Sequence, residues 1–170
     1  SFSIELSASD IDGDQLYYDA SVDGNASMQL DGANLSVIPN VDFNGSITVS
    51  YSVSDGEYSI SNSFNLTVNP VNDAPILSDI DNQTIDEDGL LSIELSASDV
   101  DGDILTFSAT NGDSEIVVDG STLTITPPEN YNGSDDVTVT VTDGDLSDST
   151  TFTLTVNPVN DAPFVAAPIE

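Results

Sequence analysis

A two-residue rhythm constrains this chain more than any other feature. The stretch "DVTVTVTD" (136–143) sets Val137, Val139 and Val141 against alternating Thr, and "TFTLTVN" (151–157) does the same with Phe152, Leu154 and Val156. Ile47, Val49, Tyr51 and Val53, then Phe64, Leu66 and Val68, repeat both patterns earlier in the chain. "SIELSAS" and "ILTFSA" alternate likewise, through Ile93, Leu95, Ala97 and through Leu105, Phe107, Ala109. Side chains on a strand point to opposite faces in turn, so this rhythm predicts antiparallel strands with one face buried and Ser or Thr outward. No stretch carries helical periodicity. "DG" at 31–32, 55–56, 119–120 and 143–144, and "NG" at 44–45 and 132–133, read as hairpin turns between the strands.

The rhythm occurs twice. "SFSIELSASDIDGD" at the start returns 89 residues later as "LLSIELSASDVDGD", and "DFNGS" returns as "NYNGS" 88 residues on. "VNPVNDAP" at 68–75 recurs unchanged at 156–163. A period near 88 residues is the size of an autonomous domain rather than of a solenoid unit. The step from 89 to 88 puts one extra residue in the first copy, between Asp14 and Asp31. Six or seven short strands per copy predict two tandem β-sandwiches of immunoglobulin-like architecture, an all-β chain. The expected domains are 1–71, 72–159, and a linker with the start of a third repeat at 160–170. The first domain is expected to lack its N-terminal strand, since 76–89 has no counterpart before Ser1. Its sheet edge is then open, or filled by another chain.

The acids raise a question of charge balance. The chain holds 31 Asp and Glu, 24 of them Asp, and no Lys, Arg or His, for a net charge of −31. Asp favours turns and oxygen-rich cation sites, whereas a solvated helical surface favours Glu. Nucleic acid and anionic membrane are polyanions and are excluded as partners. Without Cys or His, zinc, copper and iron sites have no ligands of the kind they prefer. No apolar run is long enough to insert in a membrane. "SASDVDGD" (96–103) brings Asp99, Asp101 and Asp103 together, and "SASDIDGD" (7–14) brings Asp10 and Asp12. Turns of a sandwich cluster at its two ends. The carboxylates of 99–103, with Asp143 and the oxygens of a stiff Pro-bracketed linker carrying Asn72 and Asp73, can make the cage of six to eight oxygens that calcium needs.

"TIDEDGLLSIELSASDVDGDILTF" is similar to the cadherin repeat, and "VNDAP" resembles the cadherin linker motif. Together with "SDxDGD" and the "NYNG" and "DFNG" stretches, they resemble the bacterial cadherin-like tandem repeats of large secreted, RTX-type calcium-dependent adhesins. The resemblance implies calcium between consecutive domains and a rod of repeats bearing an adhesive tip. Carried over residue by residue, it implies ligands at Asn72, Asp73, Asp99, Asp101 and Asp143 for the junction before the second domain, where the local clustering of acids adds Asp103 as a candidate. It implies Asp10, Asp12 and Asp55 for the junction before the first, and Glu87 with Asn160 and Asp161 for the one after the second. The Asp-Arg-Glu stretch of animal cadherins is replaced by "VDFNGS" and "ENYNGS", which leaves Asp42 and Asn44 as further candidates. Pro70 and Ala74 stand where cadherin linkers have Asp and Asn, which implies one or two ions per junction.

The function expected is a calcium-rigidified extender module of an extracellular, cell-surface adhesin. Its partners are neighbouring repeats and other copies of itself. A carbohydrate- or surface-binding module, or a filament subunit assembled by strand donation, is the alternative. No enzymatic activity is expected, because nucleophilic catalysis needs a base beside a Ser and the chain has neither His nor Lys.

Overall fold

The computed structural model describes residues 1–163. The part of the third-repeat expectation that falls on 164–170 lies outside the described residues. The chain divides into two compact units, Ser1–Val71 and a second beginning at Asn72. All regular structure among the described residues is β, as the alternation requires.

Unit 1 has six strands: β1 (Phe2–Glu5), β2 (Tyr17–Val22), β3 (Ala26–Asp31), β4 (Asn34–Pro39), β5 (Gly45–Ser54) and β6 (Ser59–Val68). They form two antiparallel sheets, ordered β1-β4-β3 and β2-β5-β6. Leu6, Leu35, Val37, Ile47 and Val49 fill the space between them. Removing each such side chain from water contributes roughly 1.5–3 kcal/mol. Phe64 is half-buried, with the Phe2 and Tyr51 rings at centroid distances of 5.9 and 6.3 Å.

Unit 2 contains β7 (Ile76–Leu77), β8 (Gln83–Asp86), β9 (Leu91–Glu94), β10 (Ala97–Ser98), β11 (Thr106–Thr110), β12 (Glu115–Asp119), β13 (Thr122–Thr126), β14 (Gly133–Thr142) and β15 (Ser147–Asn157). One sheet runs β11-β14-β15-β8 and the other β12-β13-β9, with β7 paired to β10. All pairs are antiparallel except β8, which joins β15 in parallel. Val137, Val139 and Val141 from β14 and Phe152, Leu154 and Val156 from β15 point inward and are at most 3% exposed.

Two readings of the turns are refined. The "NG" pairs are not hairpin turns: each leads the chain from one sheet to the other, between β4 and β5 and between β13 and β14. The preceding aromatic explains the glycine. At Gly133 (φ 152°) a Cβ would lie 3.0 Å from the Tyr131 hydroxyl, and at Gly45 (φ 129°) 3.4 Å from the Phe43 ring. The "DG" pairs at 31–32 and 119–120 do close tight hairpins, β3–β4 and β12–β13. The extra residue of the first copy falls at the β2–β3 connection, whose counterpart joins β11 to β12.

The two cores differ at one end. In register, Asp135 of unit 2 takes the place of Ile47, and Asn111 that of Val22. The Ser114 hydroxyl donates to Asp135 Oδ2 at 3.1 Å, while Asn111 Nδ2 is buried without a partner. Burial, with the charges of Asp135 and Asp113, pushes the Tyr131 hydroxyl above its ordinary pKa. An unpaired buried amide beside a half-buried carboxylate costs stability that a hydrocarbon does not. The double substitution Asn111→Val, Asp135→Ile should therefore stabilise unit 2 by about 1–2 kcal/mol, read as a rise in its melting temperature. An unchanged or lower melting temperature would refute that cost.

Candidate metal centre

The acids of unit 2 gather at two ends because β strands alternate in direction. At one end lie the chain entering at 72–75, the loop after β10 and the loop between β14 and β15.

Asp99 organises the first loop. Its Oδ1 accepts the N–H groups of Asp101 (2.9 Å), Gly102 (2.9 Å) and Asp103 (3.3 Å). Wrapping three amides round one oxygen needs a sharp reversal, and Gly102 supplies it at φ 78°. The other oxygen, Oδ2, is buried and has no hydrogen-bond partner. One carboxylate oxygen each from Asp99, Asp101 and Asp103 lies within 4.8 Å of the others. Among the described residues this is the one group of three or more potential metal-ligating side chains so gathered.

The entering chain is tied to the same loops. The Asp73 N–H donates to Asp101 Oδ2 at 2.8 Å, and Asn72 Nδ2 donates to Asp143 Oδ2 at 2.9 Å. Asp143 Oδ1 in turn accepts the N–H groups of Asp145 and Leu146, both at 2.7 Å. The Leu146 N–H, the Asn72 amide and the Asp145 N–H together hold the Asp143 carboxyl below the ordinary carboxylate pKa. Five of the six residues expected at this end are thus linked in two chains, Asp73–Asp101–Asp99 and Asn72–Asp143. Asp103 joins through its N–H and its carboxylate.

The opposite end holds Glu87, the one charged residue of the described chain that is fully buried, at 8% exposure. Its Oε1 accepts the Val159 N–H at 2.6 Å and its Oε2 the Asn132 amide at 3.4 Å. Beside it, Asp88 Oδ1 accepts the Asn130 N–H at 2.9 Å, with both residues at positive φ. Asn160 and Asp161 repeat the turn of Asn72 and Asp73: Asn160 Nδ2 donates to Asp161 O at 3.1 Å, as Asn72 Nδ2 does to Asp73 O at 3.3 Å. Asn132 and Asp88 are absent from the sequence-based set. The "NYNG" motif containing Asn132 was legible, but its reach to Glu87 depends on how β8 and β14 end at the same level.

In unit 1 the loops keep the same local form. Asp10 Oδ1 accepts from Asp12 N–H (2.8 Å) and Asp14 N–H (3.1 Å); Asp55 Oδ1 accepts from Glu57 N–H (2.8 Å) and Tyr58 N–H (2.7 Å). The Tyr58 and then the Glu57 N–H lower the Asp55 pKa. Asp10, Asp12 and Asp55 are not drawn into a group like that of unit 2. Asp42 (φ 58°) and Asn44 sit between β4 and β5, at the other end of unit 1 from Asp10 and Asp55.

The residues at 72–73, 99–103 and 143 suit a hard divalent cation. The donors are all oxygen, three carboxylates converge, and one buried oxygen has nothing to bind. No positive side chain exists in the chain to take that place.

Comparison with known proteins accords with this fold. Residues 72–157 match the bacterial Ig domain family, and residues 5–69 match a cadherin-like domain family. The chain thus falls in the class of immunoglobulin- and cadherin-like β-sandwich proteins. By the match over half its length, it belongs to the bacterial Ig domain family. No curated protein matches it in sequence. The EC1-2 fragment of human protocadherin-24 is similar in structure over 94% of this chain and 88% of that one, with a TM-score of 0.54 and 16% identity. Drosophila N-cadherin EC1-4 is similar over 92% of this chain and 44% of that one, with a TM-score of 0.55 and 16% identity. These likenesses are of fold. An endo-fucoidan hydrolase of glycoside hydrolase family 107 aligns over 93% of this chain at 21% identity and a TM-score of 0.44, and this chain spans only 26% of that enzyme.

Because folding depresses the Asp143 pKa, its contribution to stability is present above the ordinary carboxylate pKa and is lost as pH falls through the folded value. With divalent ions chelated, Asp143→Asn should melt below the parent chain at pH 7, and the gap should close as pH falls through the depressed Asp143 pKa. A gap that persists undiminished in acid would contradict the charge-assisted bonds described for Asp143.

Proposed function

We propose that the chain is a calcium-rigidified extender module of a secreted bacterial cell-surface adhesin. One observation carries the calcium reading: Asp99 Oδ2, buried and unpaired, beside the carboxylates of Asp101 and Asp103. Family membership and the cadherin fold likeness support an extracellular adhesion-type module. The acidic, cation-free composition supports a role outside the cell, where calcium is plentiful, and a non-catalytic one.

Asp99, Asp101 and Asp103 would hold the ion, with Asn72, Asp73 and Asp143 around it. Bound calcium supplies two positive charges among carboxylates that otherwise repel one another. The chain's own residues make that charge mechanically useful. Asp101 already holds the backbone of Asp73, and Asp143 already holds the side chain of Asn72. Neutralising the loop acids removes the repulsion among the carboxylates that make both bonds. The segment entering unit 2 is then fixed to its loops instead of pivoting at 72–73. Pro70 and Pro75 on either side limit the remaining freedom. Repeated along a chain of such units, this yields a stiff spacer.

Affinities of extracellular calcium modules fall near 10⁻⁴–10⁻³ M, so stiffness is gained on export. At 100-fold excess over the dissociation constant each site adds about 2.7 kcal/mol of stability. Millimolar calcium should raise the melting temperature of unit 2 and narrow the distribution of molecular dimensions seen by small-angle X-ray scattering, and chelator should reverse both. Asp101→Ala should abolish the narrowing while leaving the β circular dichroism signal intact. Identical scattering profiles with and without calcium would overturn the proposal.

A further inference from the structure

The dipeptide Asn-Gly occurs three times in the chain, at 44–45, 111–112 and 132–133. It is the least hindered setting for one spontaneous reaction, attack of a backbone nitrogen on the side-chain amide before it, because glycine has no Cβ to shield its nitrogen. Two of the three pairs are restrained. Gly45 and Gly133 open β5 and β14, in register with Val68 and Val156. The Phe43 ring and the Tyr131 side chain lie against them. Asn132 is held further by its amide, which donates to Glu87 Oε2.

The third pair has none of these restraints. Asn111 and Gly112 follow β11 in the connection to β12, outside any strand. Among the described residues no backbone carbonyl accepts the Gly112 N–H, and Asn111 Nδ2 is buried without a hydrogen-bond partner. A carboxylate stands beside the pair. Ser114 Oγ donates to Asp135 Oδ2 at 3.1 Å, and Asp135 Oδ1 faces Gly112, where a Cβ would lie 3.3 Å from it. Gly112 and Asp113 are exposed, so water reaches the same spot. Unit 1 has no such arrangement, since Val22 and Ile47 occupy the positions of Asn111 and Asp135.

We propose that Asn111 is a self-deamidation site of unit 2, with Asp135 as the base. The Gly112 N–H proton passes to Asp135, and the freed nitrogen bonds to Asn111 Cγ. The Cγ–Nδ2 bond then breaks, and Nδ2 takes the proton from Asp135 and leaves as ammonia. The product is a cyclic imide (a succinimide) joining Asn111 to Gly112. Water opens it at Cγ to give aspartate, or at the main-chain carbonyl carbon to give isoaspartate, with the chain rerouted through the side chain. Ammonia escapes, so the change is one-way. The reaction removes a buried unpaired N–H, but the new carboxylate stands against Asp135 and Asp113. Like charges at close range repel, and the β11–β12 connection is loosened. The reaction does not involve calcium.

The test follows the full chain, kept warm at neutral pH in chelator and sampled over time. Chymotryptic peptides analysed by mass spectrometry read conversion separately at Asn44, Asn111 and Asn132. In the folded chain Asn111 should convert severalfold faster than either of the others, and isoaspartate should appear there. In concentrated urea, where only local sequence acts, the three rates should converge. Asp135→Asn should bring the Asn111 rate down towards the others and leave Asn44 and Asn132 unchanged, which also shows that the fold survives. Equal rates at the three sites of the folded chain, an equal excess at Asn111 in urea, or an excess that Asp135→Asn leaves undiminished would overturn the proposal.

Discussion

Thirty-one carboxylates in this chain must be accommodated without one cationic side chain. The donor available in quantity is the backbone N–H, and the turns are built around it. Asp10, Asp55, Asp99 and Asp143 each use one carboxylate oxygen to gather two or three amides from the residues just beyond. This capture shapes the loops at one end of each sandwich and lets β strands terminate without stranded amides. It also leaves second oxygens pointing elsewhere. At Asp99 that oxygen is buried and has no hydrogen-bond partner.

Much of this was readable from residues. Val137, Val139, Val141, Phe152 and Leu154 alternate with Thr, and a half-buried antiparallel strand is the one regular structure that sends all of them inward. The gathering of Asp99, Asp101 and Asp103 was legible too, since three acids in five residues cannot be far apart. The approach of Asn72 and Asp73 to the Asp143 and Asp101 carboxylates rested on the family resemblance and on turns sharing an end. The bonds themselves use a backbone N–H and an amide across 28 and 71 residues, which no local pattern encodes.

Other features were hidden for physical reasons. The "NG" pairs carry the sequence signature of a hairpin, yet their glycines accommodate the Phe43 and Tyr131 rings at a crossing between sheets. Asp135 reads as one more polar residue of a loop edge, and only register with Ile47 shows that it occupies a core position. Glu87 was singled out by the family resemblance, but no residue pattern around it signals its burial. Its burial follows from the chain after β15 returning over it, where Val159 offers its N–H. The duplication is what makes such differences interpretable: one unit serves as the reference for the other.

The most direct measurement is an anomalous difference map from crystals of the chain grown in millimolar calcium. The account requires a peak bonded to Asp99 Oδ2, at about 2.3–2.6 Å, with oxygens of Asp101 and Asp103 in the same coordination shell. Ordered water alone at that position, in a well-phased map, would contradict it.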